Sequence, residues 1–287
     1  MTIDGQPSDD PDGLLPAGRA ELAYHRPPWR EPLPAPPLAL TVLFSDADVL
    51  VVDKPAGLPV MPSELYWRHT VMTALGAAAG GPSPVHRLGV GTSGALVCAR
   101  SARARRGLPA QFQAKSVEKR YRALLVGLPA EDFFTVTAPI GTVAYLGLGR
   151  LHAAAADGKP SVSHFEVLER RPAEGAGGTS LAEVQIETGR PHQIRIHAAV
   201  AGHPLLGDPL YVAGGEPAPS LEGNEAQARP EEKVSRLALP RDCGYLLHSR
   251  RVCFDQPVTG ARVVAEASCP PRLQTVAEAE AARSQTC

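Results

Sequence analysis

Residues 187–211, ETGRPHQIRIHAAVAGHPLLGDPLY, leave the backbone little choice. They continue LAEVQIETG (181–189), where apolar and polar residues alternate with the period of a half-buried strand. HQIRIHAAVAG then reads as a helix, with Pro191 suited to its first turn and Gly202 to its C-terminal stop. A strand, a corner, a short helix and a second corner in quick succession fit a mixed α and β chain.

The same reading extends in both directions. TVLFSDADVLVVDKPAGLPV gives two β runs, 41–44 and 49–52, split by the turn-forming SDAD and ended by PAG. Residues 67–78 are Ala-rich and helix-compatible up to Gly80 and Gly81. ALVCA (95–99) is a buried strand after a Gly-rich turn. SARARRGLPAQFQ predicts a basic helix interrupted at 107–109, and VEKRYRALLVG alternates as a strand. LLHSRRVCFDQPVTGARVVAEAS (246–268) predicts a hairpin around 257–260. Strands and helices without strict βαβ alternation indicate an α+β fold.

Composition sets the limits. The 287 residues are 44% apolar and 21% charged, an ordinary balance for a chain that buries its own core. No run of 18 apolar residues occurs, so no membrane helix is predicted, and the N-terminus lacks a basic-then-apolar signal pattern. A cytoplasmic monomer is expected. The five cysteines include no CxxC pair, and His192 and His197 stand five apart, off a common helical face. No metal and no other cofactor is expected. Residues 1–40 hold nine prolines and six acidic residues and read as a disordered leader. Residues 41–272 form the expected domain, 213–235 a surface loop insertion and 273–287 a frayed tail.

Net charge is −1, which offers no global attraction for nucleic acid, yet residues 100–122 carry eight Lys/Arg against Glu118 alone. Such a run is either a solvated face or a phosphate-contacting surface.

Four segments in order, VVDKPAGLPV (51–60), PVHRLGVGTSGALVCAR (84–100), EKRYRALLVG (118–127) and the 187–211 stretch, together resemble the RNA pseudouridine synthases of the RluA-like type. LHSRRVCFDQPVTG is similar to that family's closing strands, so the resemblance covers roughly 41–270. It implies a bent, mixed, mostly antiparallel sheet flanked by helices and loops. It also implies isomerisation of uridine to pseudouridine in structured RNA, rRNA or tRNA, on a nucleotide flipped from its stack.

The resemblance places a catalytic aspartate at position 89, its arginine partner at Arg195 and a ring near the base at Tyr121. By the same resemblance Arg87 fills the gap left by the flipped nucleotide. The RNA-binding candidates are His86, Arg87, Thr92, Ser93, Arg190 and His192, with Arg103, Arg105 and Arg106 added by the charge of the basic run. Position 89 is glycine. Three readings follow: a synthase with a surrogate carboxylate, Asp53, Glu187 or Asp208 being the candidates; an RNA-binding module that keeps the fold without turnover; or a different enzyme for which the resemblance misleads.

Overall fold

The computed structural model describes residues 2–3, 6–7, 22–23, 39–63, 66–145, 149–173, 177–217, 239 and 241–284. The chain divides into two compact units, Met1–Pro34 and Ala35–Cys287. In the first, β1 (Thr2–Ile3) pairs antiparallel with β2 (Gln6–Pro7) and with β3 (Leu22–Ala23). The sequence gives no reason to expect strands there. Of the expected loop insertion, 213–235, residues 218–235 lie outside the described residues.

The second unit begins with the hairpin β4 (Thr41–Ser45) and β5 (Val49–Lys54). Asp46 closes its turn, its carboxylate accepting from the amides of Asp48 and Val49 at 2.7 and 2.6 Å. β5 is buried along nearly its whole length, as its unbroken VLVV run requires of an interior strand. Next comes the Ala-rich stretch. It is not one helix: α1 covers Val71–Ala74, and Gly76 at φ 63° breaks it before a single 3-10 turn, Ala77–Ala79. β6 (Ser83–Pro84) and β7 (Ser93–Ala99) follow.

α2 (Ala102–Gln113) corrects the expected interruption. Ser101 caps it, accepting from the Ala104 amide at 3.2 Å, and it runs on through Pro109, which withholds a single amide from the ladder. Gly107 has a packing reason: a Cβ there would lie 2.6 Å from Pro257, so its absence lets the helix close on the turn at 256–261.

β8 (Glu118–Val126), β9 (Phe133–Val136), the separate hairpin β10 (Ile140–Tyr145) with β11 (Gly149–Ala154), β12 (Ser163–Arg171) and β13 (Thr179–Ile186) precede α3 (Gln193–Val200). β14 (Leu247–Asp255) and β15 (Arg262–Glu266) form the expected hairpin. The large sheet runs β4-β5-β7-β14-β8-β13-β12-β9, with β15 added on β14 and β6 on β7. Its described pairings are antiparallel except β7 with β14, where Ser93 and Gly94 lie beside His248 and Ser249. The fold is the expected α+β mixed sheet.

The register decides which face carries the chemistry. Tyr121 on β8 pairs with Val184 on β13; Ile186, two residues on, shares that face and pairs with Ser163 on β12. The Ser163 hydroxyl bonds His197 Nδ1 at 2.9 Å and Gln193 at 3.0 Å, both on α3. The helix carrying Arg195 therefore covers the face toward which Tyr121 points. The opposite face holds Arg122, and α4 (Val276–Ser284) is tied there: Arg122 donates to both Glu278 oxygens at 2.9 and 3.1 Å, with Leu273 buried beside them. The expectation of a frayed tail is thus corrected for 273–284.

Candidate active site

The cleft loop, 86–94, is pinned from several sides. His86 turns inward: its Nε2 accepts from the Val97 amide at 3.0 Å and its ring stacks on Phe112 of α2 at 4.6 Å. Burial, with help from the Lys119 charge, pulls its pKa down to about 3, so it is neutral. Ser93 Oγ bonds His248 Nδ1 at 2.8 Å, and the Thr92 amide donates to the Gly89 carbonyl at 3.1 Å. The fully buried Lys54 ammonium donates to the carbonyls of Pro55, Leu58 and Val90 at 2.7–3.2 Å, joining the KPAG turn to the loop. Gly94, at φ 106°, is where β7 meets β14; a Cβ there would stand 2.3 Å from the Ser249 carbonyl oxygen.

Three of the RNA-binding candidates are engaged within the chain. His86, Thr92 and Ser93 spend their polar atoms inside the chain and shape the loop. Thr92 is buried, with its hydroxyl 3.3 Å from that of Tyr245. Arg87, between His86 and Leu88, is exposed. Arg190 is half-buried, its Nε on the Pro160 carbonyl at 3.3 Å.

His192 corrects the expected helix start. It adopts φ 54° as the N-cap of α3, so Pro191 falls outside the helix. Its Nδ1 lies 2.8 Å from the Tyr211 hydroxyl, which itself donates to the His152 carbonyl at 2.7 Å. With that proton used, His192 Nδ1 is the donor and Nε2 stays unprotonated. Burial first, then the Arg195 charge, lowers its pKa to about 3.

Arg195 sits at the centre. Its side chain is 2% exposed and that of Asp208 is fully buried. Nε and Nη2 donate to Asp208 Oδ2 and Oδ1 at 2.6 and 2.7 Å, a bidentate fork. Asp208 Oδ1 also accepts from the amides of Leu210 and Tyr211. Burial works against the guanidinium charge, and Asp208 outweighs it, holding the pKa above its usual value. The guanidinium carbon lies 4.2 Å from the ring centroid of Tyr245 and 5.0 Å from that of Tyr211.

Among the described residues, no carboxylate oxygen lies within 3.9 Å of where a Cβ on Gly89 would stand. The two residues that a Cβ on Gly89 would meet within 3.9 Å are Tyr245, with its hydroxyl at 2.7 Å, and Thr92, with its hydroxyl at 3.2 Å. Asp208 is consumed by Arg195 and two amides. Glu187 bonds His164 at 3.0 Å, and His164 alternates with Ser163, so it faces away from α3. Asp53, on β5 opposite Ala95, has its pKa raised by burial, against the opposing pull of His248 and the Gly94 amide.

Tyr121 is buried beneath this region. Its strand pairs it with Ser249, whose hydroxyl donates to the Ala95 carbonyl at 3.1 Å. Burial pushes the Tyr121 phenol up to about 12, with Ser249 opposing, so it is a protonated donor at neutral pH.

The pinned loop and the buried Arg195–Asp208 fork meet at Tyr245, whose hydroxyl lies by Thr92 and whose ring lies under the guanidinium. A match to the RNA pseudouridylate synthase family spans residues 48–200. RNA pseudouridine synthase 5 of Arabidopsis thaliana is 40% identical over 97% of this chain and 84% of its own length. An uncharacterized RNA pseudouridine synthase of Synechocystis is 40% identical over 96% and 87%. Ribosomal large subunit pseudouridine synthase D of Pseudomonas aeruginosa is 36% identical over 81% and 69%. Among solved structures, human RNA pseudouridylate synthase domain containing 1 superposes with a TM-score of 0.61 at 23% identity, over 87% of this chain and 95% of its own. The chain belongs to the RNA pseudouridylate synthase family.

Sequence reasoning missed Tyr245, which stands one residue before the LLHSRR segment it read as closing strands. No local pattern signals it, because its partners Gly89 and Gly91 lie far away in the chain. A Cβ on Gly91 would lie 2.9 Å from the Tyr245 ring, so the two glycines make room for it.

Proposed function

We infer that this protein is an isomerase that converts uridine to pseudouridine in structured RNA, rRNA or tRNA. The observation carrying this reading is the convergence of loop 86–94, Arg195 and Tyr121 on one face of the sheet, from segments far apart in sequence. In it, the flipped uridine lies between the loop and Tyr121, and the exposed Arg87 contacts the strand it leaves. Arg103, Arg105 and Arg106, all exposed on α2, extend the phosphate-contacting surface, and Arg190 flanks it. The protein acts as a monomer in the cytoplasm, without a cofactor. No described helix is long and apolar enough to cross a membrane.

The test is direct. Purified protein is incubated with RNA from cells that lack it, and pseudouridine is mapped base by base. New pseudouridine at one or a few positions is expected. Its absence at every position, with RNA still bound, would leave the non-catalytic binding module as the function.

A further inference from the structure

We propose that the Tyr245 hydroxyl is the catalytic nucleophile of this site, in place of the carboxylate that position 89 lacks; this rests on the synthase reading above. The argument is one of position. In aspartate a carboxylate oxygen stands about 2.4 Å from Cβ, from standard bond lengths. The Tyr245 oxygen stands 2.7 Å from where the Cβ of residue 89 would be. A phenolic oxygen thus lies close to where an acidic oxygen on residue 89 would lie.

The surroundings fit that use. The ring is held by the Arg195 guanidinium at 4.2 Å on its face, and the hydroxyl by Thr92 Oγ1 at 3.3 Å. Gly89 and Gly91 both lack the Cβ that would collide with it. Gly89 is half-buried and has no side chain, so nothing of that residue fills the space between its backbone and the hydroxyl. Burial raises the phenol's pKa, and the Arg195 charge opposes that, favouring the anion as it forms. Tyrosine is an established nucleophile at a sugar's anomeric carbon in some glycosidases.

The step balances without a further reactant. The Tyr245 oxygen bonds to C1′ of the ribose as the C1′–N1 bond breaks, its electron pair leaving with the base. The phenolic proton passes to N1. The detached uracil turns, C5 bonds to C1′, and the tyrosyl oxygen departs as phenolate. The proton on C5 then returns to that phenolate. The sum is N1–H gained, C5–H lost and Tyr245 restored.

The experiment compares wild type, Tyr245→Phe and Gly89→Asp/Tyr245→Phe in single-turnover conversion of total RNA from cells lacking the protein, with RNA affinity and unfolding midpoint measured alongside. Tyr245→Phe keeps the ring on Arg195 and removes only the oxygen. It is expected to slow conversion by roughly 10³-fold or more with affinity and midpoint nearly unchanged. In the double variant the new Cβ would lie 3.9 Å from the nearest ring atom and 3.2 Å from Thr92 Oγ1, so it fits once the Thr92 hydroxyl yields by a few tenths of an ångström, with the carboxylate turned away from the ring. Recovery of conversion there supports the assignment. A Tyr245→Phe protein that converts RNA as fast as wild type overturns it and leaves the synthase reading intact. A wild type that forms no pseudouridine overturns the synthase reading itself.

Discussion

Arg195 and Asp208 are both withdrawn from water, so neither tolerates change alone. Arg195→Met leaves a buried carboxylate with only two backbone amides, and the expected loss is about 3–5 kcal/mol in urea unfolding. Arg195→Lys keeps the charge but not the fork, and is expected to fall between. Lys54 gives a pH signature. Burial pulls its pKa down to about 7, opposed by Cys243 and Asp53. In the unfolded chain a lysine titrates near ~10.4. Below pH 7 both states are protonated and the folded state bears the full cost of the buried charge. Between the two values the unfolded state binds more protons, so stability rises with pH. Relative to Lys54→Met, wild type is therefore expected to gain in unfolding midpoint from pH 7 to 9.5; a constant gap would show that the ammonium titrates normally. The importance of Arg195 was legible from TGRPHQIRIH. Tyr245 was not, because its role depends on meeting a glycine 156 positions earlier in the chain, and no local pattern encodes that contact.

α4 shows how an element escapes a reading by composition. VAEAEAARS has no buried residue, so its sequence resembles a solvated tail. It is held by Arg122, one of the charges of the basic run, which turns back across the sheet to Glu278. Burial raises the Glu278 pKa, but the hydrogen bonds from Arg122 and the Thr275 amide outweigh it, and the net shift is downward. A depressed carboxylate stabilises the fold above its unfolded pKa of about 4.3 and loses that contribution as pH falls through the folded value. Glu278→Gln is thus expected to lower the unfolding midpoint at pH 7, with the difference from wild type closing toward pH 3. Where periodicity was strong the elements were readable: β8 and the β14–β15 hairpin follow their alternation, and α3 stops at Gly202, whose φ of 82° suits glycine. The failures at Gly76, Pro109 and His192 are each a single backbone choice, a left-handed turn or a tolerated missing amide, settled by packing beyond the local sequence.

At the scale of the molecule, a net charge of −1 has to be reconciled with RNA as substrate. The reconciliation is spatial. α2 buries Ala104 and Leu108 against the core and leaves Arg103, Arg105 and Arg106 exposed. The same helix presents Phe112 to His86, and the next residue, Arg87, is exposed at the cleft loop. The basic helix and the loop are therefore neighbours, and a strand entering the cleft would pass both. Arg105 is partly engaged, donating to the Gly81 carbonyl at 3.1 Å, which makes Arg103 and Arg106 the cleaner probes. On single strands each neutralised phosphate contributes about −0.7 to the slope of log affinity against log salt. Arg103→Glu/Arg106→Glu is expected to weaken binding to total RNA and to make that slope shallower by about 1.4, while the unfolding free energy moves by no more than about 0.5 kcal/mol. An unchanged slope would show that α2 is only a solvated face and that the cleft recruits RNA through Arg87 and the loop alone.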